Sequence, residues 1–312
     1  MMKGQRVSVS TSRTIVVTGT SSGIGHHLTH YLAERGHTVY ATVRREADRV
    51  AWESVANVIP ILMDVRNARQ VEAVRRRILD DGRALYGLVH NAGIGGMGLL
   101  ATYGDADMQE VFDVNVFGPH RLTNALLDLL IENQGRIVNI SSQGGLITGK
   151  YLGAYIMSKH ALEAYTDCLR AEIEGYGVRV AAVQPGGITT DIGGKSMDRV
   201  LARLRAAPTA FKEEAGRIIA SLEQEEPPPD PDAPESATNR KPSPPLVVSE
   251  AVHHALFDAH PKRSYLVGTR WEGDRVIRTL IDKLLDANDN PRHNFSRDEL
   301  VALLDGRLAE RP

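Results

Sequence analysis

A doubly wound α/β architecture, with a parallel sheet of about seven strands covered by helices on both faces, is the fold class this sequence predicts. Three observations predict it. From Thr14 onward, short β-branched runs alternate with segments of helical period. The first run leads straight into a glycine-rich turn and an amphipathic helix. Runs such as Gly87-Leu88-Val89-His90 and Arg179-Val180-Ala181-Ala182-Val183 are apolar nearly throughout, which suits strands buried on both sides.

In chain order, the candidate strands are residues 14–18, 37–43, 58–62, 86–90, 136–141, 178–183 and 264–267. The first helix is expected over Gly23 to Arg35, with Ile24, Leu28, Tyr31 and Leu32 on one stripe and Gly36 as its stop. The Arg75, Arg76, Arg77 run lies between Val71, Val74 and Ile78, Leu79, so it is expected on the wet side of a helix and not at an anion site. Gly153 to Glu174 again has helical periodicity.

The pattern breaks between Asp191 and Leu246, where eight of the 15 prolines fall in Pro227 to Pro245. Proline lacks the amide donor and restricts its neighbour, so neither a helix nor a central strand can run through that stretch. The expected organisation is a disordered tail over residues 1–12 and a single domain of Rossmann type over 13–312. Within it, 191–246 forms an insertion before the last strand, read as a lid over the substrate site, with a passive surface loop as the alternative. Met197 to Leu222 should be helical there, with Val200, Leu201, Leu204, Phe211, Ile218 and Ile219 able to face the pocket, while 227–245 should be mobile.

Composition narrows the function. At 42% hydrophobic and 24% charged, the chain has ample material for a core, and its formal net charge of −2 lacks the basic excess that nucleic-acid binding demands. No stretch approaches the run of apolar residues that a membrane span needs. Cys168 stands alone, which excludes an intrachain disulfide and suits a reducing, cytoplasmic setting. His26, His27 and His30 include a metal-ligand spacing, but further ligands are not evident nearby, so no metal is expected.

Thr18-Gly19-Thr20-Ser21-Ser22-Gly23-Ile24-Gly25 stands between the first strand and the first helix. Glycine there permits a tight turn and a close backbone approach to a pyrophosphate, while the helix N-terminus offers amide donors. Some 20 residues on, NAD-preferring dinucleotide folds commonly place an acid that holds the adenosine ribose. Here the second strand ends Ala41-Thr42-Val43-Arg44-Arg45, and a guanidinium would instead pair with a 2′-phosphate. NADP(H) is therefore the expected cofactor, with NAD(H) left open.

Tyr155 and Lys159 are four apart on an expected helix, so their side chains share a face. A phenol titrates near pH ~10 alone, and a neighbouring ammonium would lower that value toward the range useful in acid/base work. The chain also carries, in order, Thr18-Gly-x-x-x-Gly-x-Gly25, Asp64-Val65, Asn91-Ala92-Gly93, Asn115, Ile140-Ser141-Ser142, Tyr155-x-x-x-Lys159 and Pro185-Gly186. This set, spanning roughly residues 14–190, resembles the short-chain dehydrogenase/reductase family, in the branch with the TGxxxGxG turn.

The resemblance implies a catalytic group of Asn115, Ser142, Tyr155 and Lys159. Tyr155 would exchange a proton with the substrate oxygen, Ser142 would hydrogen-bond that oxygen, and Ser141 would support. Lys159 would lower the tyrosine pKa and bind the nicotinamide ribose, and Asn115 would hold a water linking the lysine to solvent. Gly118-Pro119, just beyond Asn115, could distort that helix and free a backbone group. The cofactor would lie on Gly19, Ser21, Ser22, Gly23, Ile24 and Gly25, with Arg44 at the 2′-phosphate and Asp64, beside Val65, at the adenine. Asn91, Ala92 and Gly93 would brace the strand beside the adenosine. Pro185, Gly186, Ile188 and Thr190 would meet the nicotinamide.

His90 stands where the family more often has a second Asn, a supporting position. The closing of the second strand and the Ser21-Ser22 turn look most like NADP(H)-using hydroxysteroid and retinol dehydrogenases. The implied activity is hydride transfer between NADP(H) and an alcohol or ketone, with an apolar substrate such as a steroid or retinoid. The alternatives are a 3-oxoacyl-type reductase of the same family and a catalytically silent nucleotide-sensing scaffold. Met97, Leu146, Tyr151, Leu152 and Met197 would be near the substrate or in the core. A homodimer or homotetramer is implied, with Ala161, Leu162, Ala164, Tyr165, Cys168 and Leu169 on the Tyr155 helix offering apolar surface.

Overall fold

The computed structural model describes residues 12–190, 197–224 and 228–310. The expected tail (save Ser12), the start of the insertion at 191–196, and Pro227 lie outside them. In chain order the elements are β1 (Thr14–Thr18), α1 (Gly23–Glu34), β2 (Thr38–Val43), α2 (Glu46–Val50), β3 (Val58–Leu62), α3 (Ala68–Asp80) and β4 (Leu85–His90). There follow α4 (Asp105–Phe112), a π-turn (Asp113–Phe117), α5 (Gly118–Glu132), β5 (Arg136–Ile140), α6 (Gly153–Ile173) and β6 (Arg179–Pro185). After them come α7 (Met197–Arg205), α8 (Lys212–Glu223), α9 (Leu246–Phe257), β7 (Ser264–Val267), α10 (Arg270–Asn288) and α11 (Arg297–Ala309).

The seven strands form one parallel sheet in the order β3-β2-β1-β4-β5-β6-β7. Alternation along each strand divides the core in two. Ile15, Val17, Val39, Val138 and Val183 face α1 and α9, whereas Val16, Tyr40, Leu88, Ile137 and Val180 face α3 and α5. Because the chain leaves β1 toward β2 and returns to β4 on β1's other side, the connections diverge at the carboxyl ends of β1 and β4. Such a switch point opens the crevice where open α/β sheets take ligands.

Helix α1 ends at Glu34 because Gly36 follows with φ +82, a left-handed conformation that admits glycine without strain. Within the insertion, α7 and α8 pack a core of their own: Val200, Leu204, Ala207, Ala215 and Ile218 are buried, with Met97, Leu99, Tyr151, Phe211, Ile219 and Leu222 packed against them. The proline-rich stretch forms no helix or strand of its own over Pro228 to Pro244, as its missing donors dictate. Hydrogen bonds hold it to itself and to the end of the sheet. Asn239 Oδ1 accepts from Asp230 N at 2.9 Å, and Ser243 N donates to Gly187 O at 2.8 Å.

Candidate active site

The glycine turn is shaped by close approach. Gly19 and Gly23 have φ +70 and +60, and a Cβ on Gly19 would sit 2.8 Å from Ala92 Cα. A Cβ on Gly25 would sit 2.3 Å from Asn91 Nδ2 and 2.4 Å from Gly19 O, so no side chain fits there. Asn91 explains the crowding: its Nδ2 donates to Thr18 O at 2.9 Å and Gly19 O at 3.0 Å. Thr18 Oγ1 in return accepts from the Asn91 and Ala92 amides, both at 2.9 Å. Asn91 thus braces the turn itself, stapling the end of β1 to the end of β4.

One cleft is lined by Gly19, Ser21, Ser22, Ile24, Val43, Arg44, Asp64, Val65, Asn91, Ala92 and Gly93. Gly23 and Gly25 belong to the same turn. Thr190 reaches back toward this turn, its Cβ and Cγ2 each 3.3 Å from where a Gly23 Cβ would stand. Pro185 ends β6, and Ile188 is bridged to Ser243. Helix α7 adds Val200 and Arg203 to the cleft wall.

The two arginines after β2 differ. Arg45 is held by both oxygens of Asp48 at 2.8 Å. Arg44 lines the cleft, exposed, with no hydrogen bond or ion pair among the described residues. Val43, where an acid would select NAD, is buried. The Asp64 carboxylate is taken by Arg66, at 2.7 Å from Nη2, and that guanidinium foremost holds its pKa below the usual carboxylate value. Arg66 also donates to Glu110 Oε1 at 3.1 Å, so Asp64 meets the cleft as one of two carboxylates on that guanidinium.

At the other end, the Gly118–Pro119 pair distorts its helix. A regular turn would bring the amide of residue 119 to Asn115 O, and proline has none to give; a π-turn spans Asp113–Phe117 just before it, with Gly118 N donating to Asp113 O. The Asn115 side chain is buried and fully engaged: Oδ1 accepts from Ile94 N, and Nδ2 donates to Ile94 O and Ser158 Oγ, each at 2.9 Å.

Lys159, one turn beyond Tyr155 on α6, is 5% exposed and donates to Ile140 O at 2.8 Å. Burial pulls its pKa down to about 8, opposed by the Glu163 carboxyl. The Tyr155 phenol is raised by burial, and the hydrogen bond with Ser142 acts the other way. Against the expected lowering of the tyrosine pKa, burial is the larger influence here, and Lys159 Nζ turns to Ile140 O with 5.6 Å between it and the Tyr155 ring centre. Ser142 Oγ also accepts from Gly144 N at 3.0 Å, which orients the hydroxyl. Ser141 is buried behind it, against Glu163.

A turn of three glycines, a cleft with an unpaired guanidinium, and a Ser142–Tyr155–Lys159 group now stand along the carboxyl edge of one parallel sheet. A family profile described as short chain dehydrogenase matches residues 13–200 of the chain. The chain belongs to the short-chain dehydrogenase family. Among relatives, a 3-amino-tetrahydro-pyrrolizinone reductase of Xenorhabdus hominickii is 38% identical over 184 residues, 58% of this chain and 64% of that protein. Retinol dehydrogenase 7 of Rattus norvegicus is 30% identical over 259 residues, covering 81% of this chain and 80% of that one. Among solved structures, a variant of actinorhodin polyketide ketoreductase with NADPH superposes with a TM-score of 0.65 at 26% identity, covering 82% of this chain and 95% of that one. The chain spans just under two thirds of the length of the first of these relatives.

Within this short-chain dehydrogenase framework, His90 fills its unusual position as a core strut. It is buried with Nε2 2.8 Å from Thr123 Oγ1, and burial depresses its pKa to about 3, so it is neutral. His26 and His30 pack on Trp52 at 4.8 Å each, and His27 Nδ1 lies 2.8 Å from Ser249 Oγ. Sequence reasoning missed Glu163, although its place four residues after Lys159 on a helix was a usable signal. It also missed Arg240, Glu272 and Gln143, which meet only in the folded chain.

Proposed function

We infer that the chain is an NADP(H)-dependent oxidoreductase that interconverts an alcohol and its carbonyl compound. The observation that carries this reading is the placement of Ser142, Tyr155 and Lys159 at one end of a cleft whose other end holds the unpaired Arg44. The site fits a phosphorylated dinucleotide: the glycine cradle admits no Cβ, α1 presents its N-terminus, and the nearby Asp64 carboxylate is hydrogen-bonded to Arg66, with no direct ion pair to Arg44. When bound, the nicotinamide supplies or accepts the hydride. Gly19 to Gly25 would hold the pyrophosphate, Arg44 the 2′-phosphate, and Asp64 and Val65 the adenine, with Pro185 to Thr190 at the nicotinamide.

In the reducing direction, Ser142 Oγ and Tyr155 Oη converge on the substrate oxygen as hydrogen-bond donors. Tyr155 gives up its proton as that oxygen gains negative charge, and the positive charge of Lys159 stabilises the phenolate left behind. The carbonyl of Asn115, to which Pro119 has no amide to donate, would offer an acceptor for a water that returns the proton from solvent. Oxidation runs the same steps backward.

An apolar substrate is supported by the α7–α8 unit, against whose apolar cluster Met97, Tyr151 and Phe211 pack partly buried, while its Val200 lines the cleft. The relative named retinol dehydrogenase 7 accords with that chemistry. NADPH oxidation followed by absorbance with a panel of apolar ketones and aldehydes tests the reading.

We further infer a homodimer or homotetramer. On the Tyr155 helix, Ala164 and Cys168 are exposed as that surface requires, whereas Leu162 and Leu169 are buried in this chain's own core; Met157 on the same helix is 43% exposed, and Phe117 of the π-turn is 53% exposed. No helix among the described residues is long and apolar enough to cross a membrane.

A further inference from the structure

The proline-rich stretch and the Pro185–Thr190 segment meet over one buried carboxylate. Glu272, on the first turn of α10, is 1% exposed. It closes a capping box, in which Oε2 accepts from Thr269 N and Thr269 Oγ1 accepts from Glu272 N, both at 3.2 Å. A capping box ordinarily serves its own helix end and no more. Here the other oxygen works outward: Oε1 accepts from Gly187 N at 2.7 Å and from Arg240 Nη2 at 2.5 Å.

Three residues beyond Arg240, Ser243 runs parallel to Ile188. Its N donates to Gly187 O at 2.8 Å, and its O accepts from Thr189 N at 2.9 Å. Both polar groups of the Gly187 backbone are therefore spent on residues from the insertion and from α10. Two glycines leave room for the carboxylate, since a Cβ on Gly186 or Gly268 would sit 2.1 or 2.4 Å from Glu272 Oε2. Gln143, the residue after Ser142, places its buried amide nitrogen 2.6 Å from the same Gly186 position. The cluster thus reaches from the proline-rich stretch to the neighbour of Ser142.

We propose that Arg240 and Glu272 are positioning residues for the nicotinamide end of the cofactor, their ion pair fixing the Gly187 peptide and through it the Ile188–Thr190 backbone. This rests on the reading that Pro185–Thr190 meets the nicotinamide. Oε1 is shared by Gly187 N and Arg240 Nη2, so the guanidinium holds the carboxylate oxygen where the Gly187 amide meets it. Without Arg240, the carboxylate is free to turn, and the acceptor that orients Gly187 weakens.

The test compares NADPH with adenosine 2′,5′-bisphosphate, which carries the adenine half alone, by titration of the full chain. Arg240→Ala should weaken NADPH binding on the order of tenfold, with a fall in kcat, while leaving the bisphosphate affinity unchanged. Arg240→Lys should restore part of the loss. Glu272→Gln, which keeps an acceptor for Gly187 without the charge that holds Arg240, should show the same split more weakly, and it decides the matter if Arg240→Ala does not fold. Unchanged NADPH affinity and kcat in both variants, or equal loss for both ligands, would overturn the proposal while leaving the cofactor reading intact. A wild-type chain that binds neither ligand would overturn both.

Discussion

At Lys159, burial works against the charge that the proposed chemistry needs. Its pKa near 8 lies below the unfolded value of 10.5. Below pH 8 both states carry the proton and the folded state bears the whole penalty. Between 8 and 10.5 the unfolded chain binds more protons, so this residue makes stability rise with pH. Urea unfolding at pH 7.5 and 9.5 should therefore show a smaller rise, or a larger fall, in Lys159→Met than in wild type. Activity should run the other way, with kcat/KM for carbonyl reduction falling above about pH 8 as Lys159 loses its charge. Any activity retained by Lys159→Arg should lack that alkaline limb, because guanidinium does not titrate there. Arg44→Ala should weaken NADPH binding by about 10- to 100-fold and spare NADH, as expected for loss of a charged hydrogen-bond donor. Val43→Asp with Arg44→Ala should shift preference toward NAD. Equal use of both cofactors by the unmodified chain would contradict the NADP(H) reading.

Among elements, the unit formed by α7 and α8 divides into residues that hold it together and residues able to meet substrate. Leu204 is 1% exposed inside the unit, so Leu204→Asn should destabilise it by roughly 2–5 kcal/mol, as large changes to core leucines do. Phe211 is only partly buried, so Phe211→Ser should raise KM for an apolar ketone and leave NADPH affinity alone. Unchanged KM would place specificity elsewhere. Sequence periodicity marked both positions as apolar but could not separate them, because the contacts of each are made across the chain. The seven strands were legible to within two residues at their ends, since runs buried on both faces are apolar in every position. Glu272 was not legible, for Thr269-x-x-Glu272 is complete as a local cap and only the fold brings Gly187 and Arg240 to it. By the same contacts, deleting 228–245 should impair cofactor binding, an outcome that a passive loop would not produce.

For the whole molecule, the sheet order places the glycine turn, the Arg44 side chain and the Tyr155 helix on one edge, although they are spread over more than a hundred residues of sequence. Motif spacing identified these groups, and the parallel register explains why they converge. The proposed assembly rests on surface instead: Phe117 and Met157 leave apolar area exposed beside the π-turn. Light scattering should find a dimer or tetramer at micromolar concentration, and Phe117→Glu with Met157→Glu should shift it toward monomer. The most direct measurement of the proposed activity is NADPH consumption with apolar ketones, run side by side on wild type and Tyr155→Phe. Wild type should turn over, and Tyr155→Phe should bind NADPH with nearly unchanged affinity while losing turnover, since only the transferable proton is removed. Undiminished turnover in Tyr155→Phe, or no NADPH-dependent reduction by wild type across the panel, would contradict it.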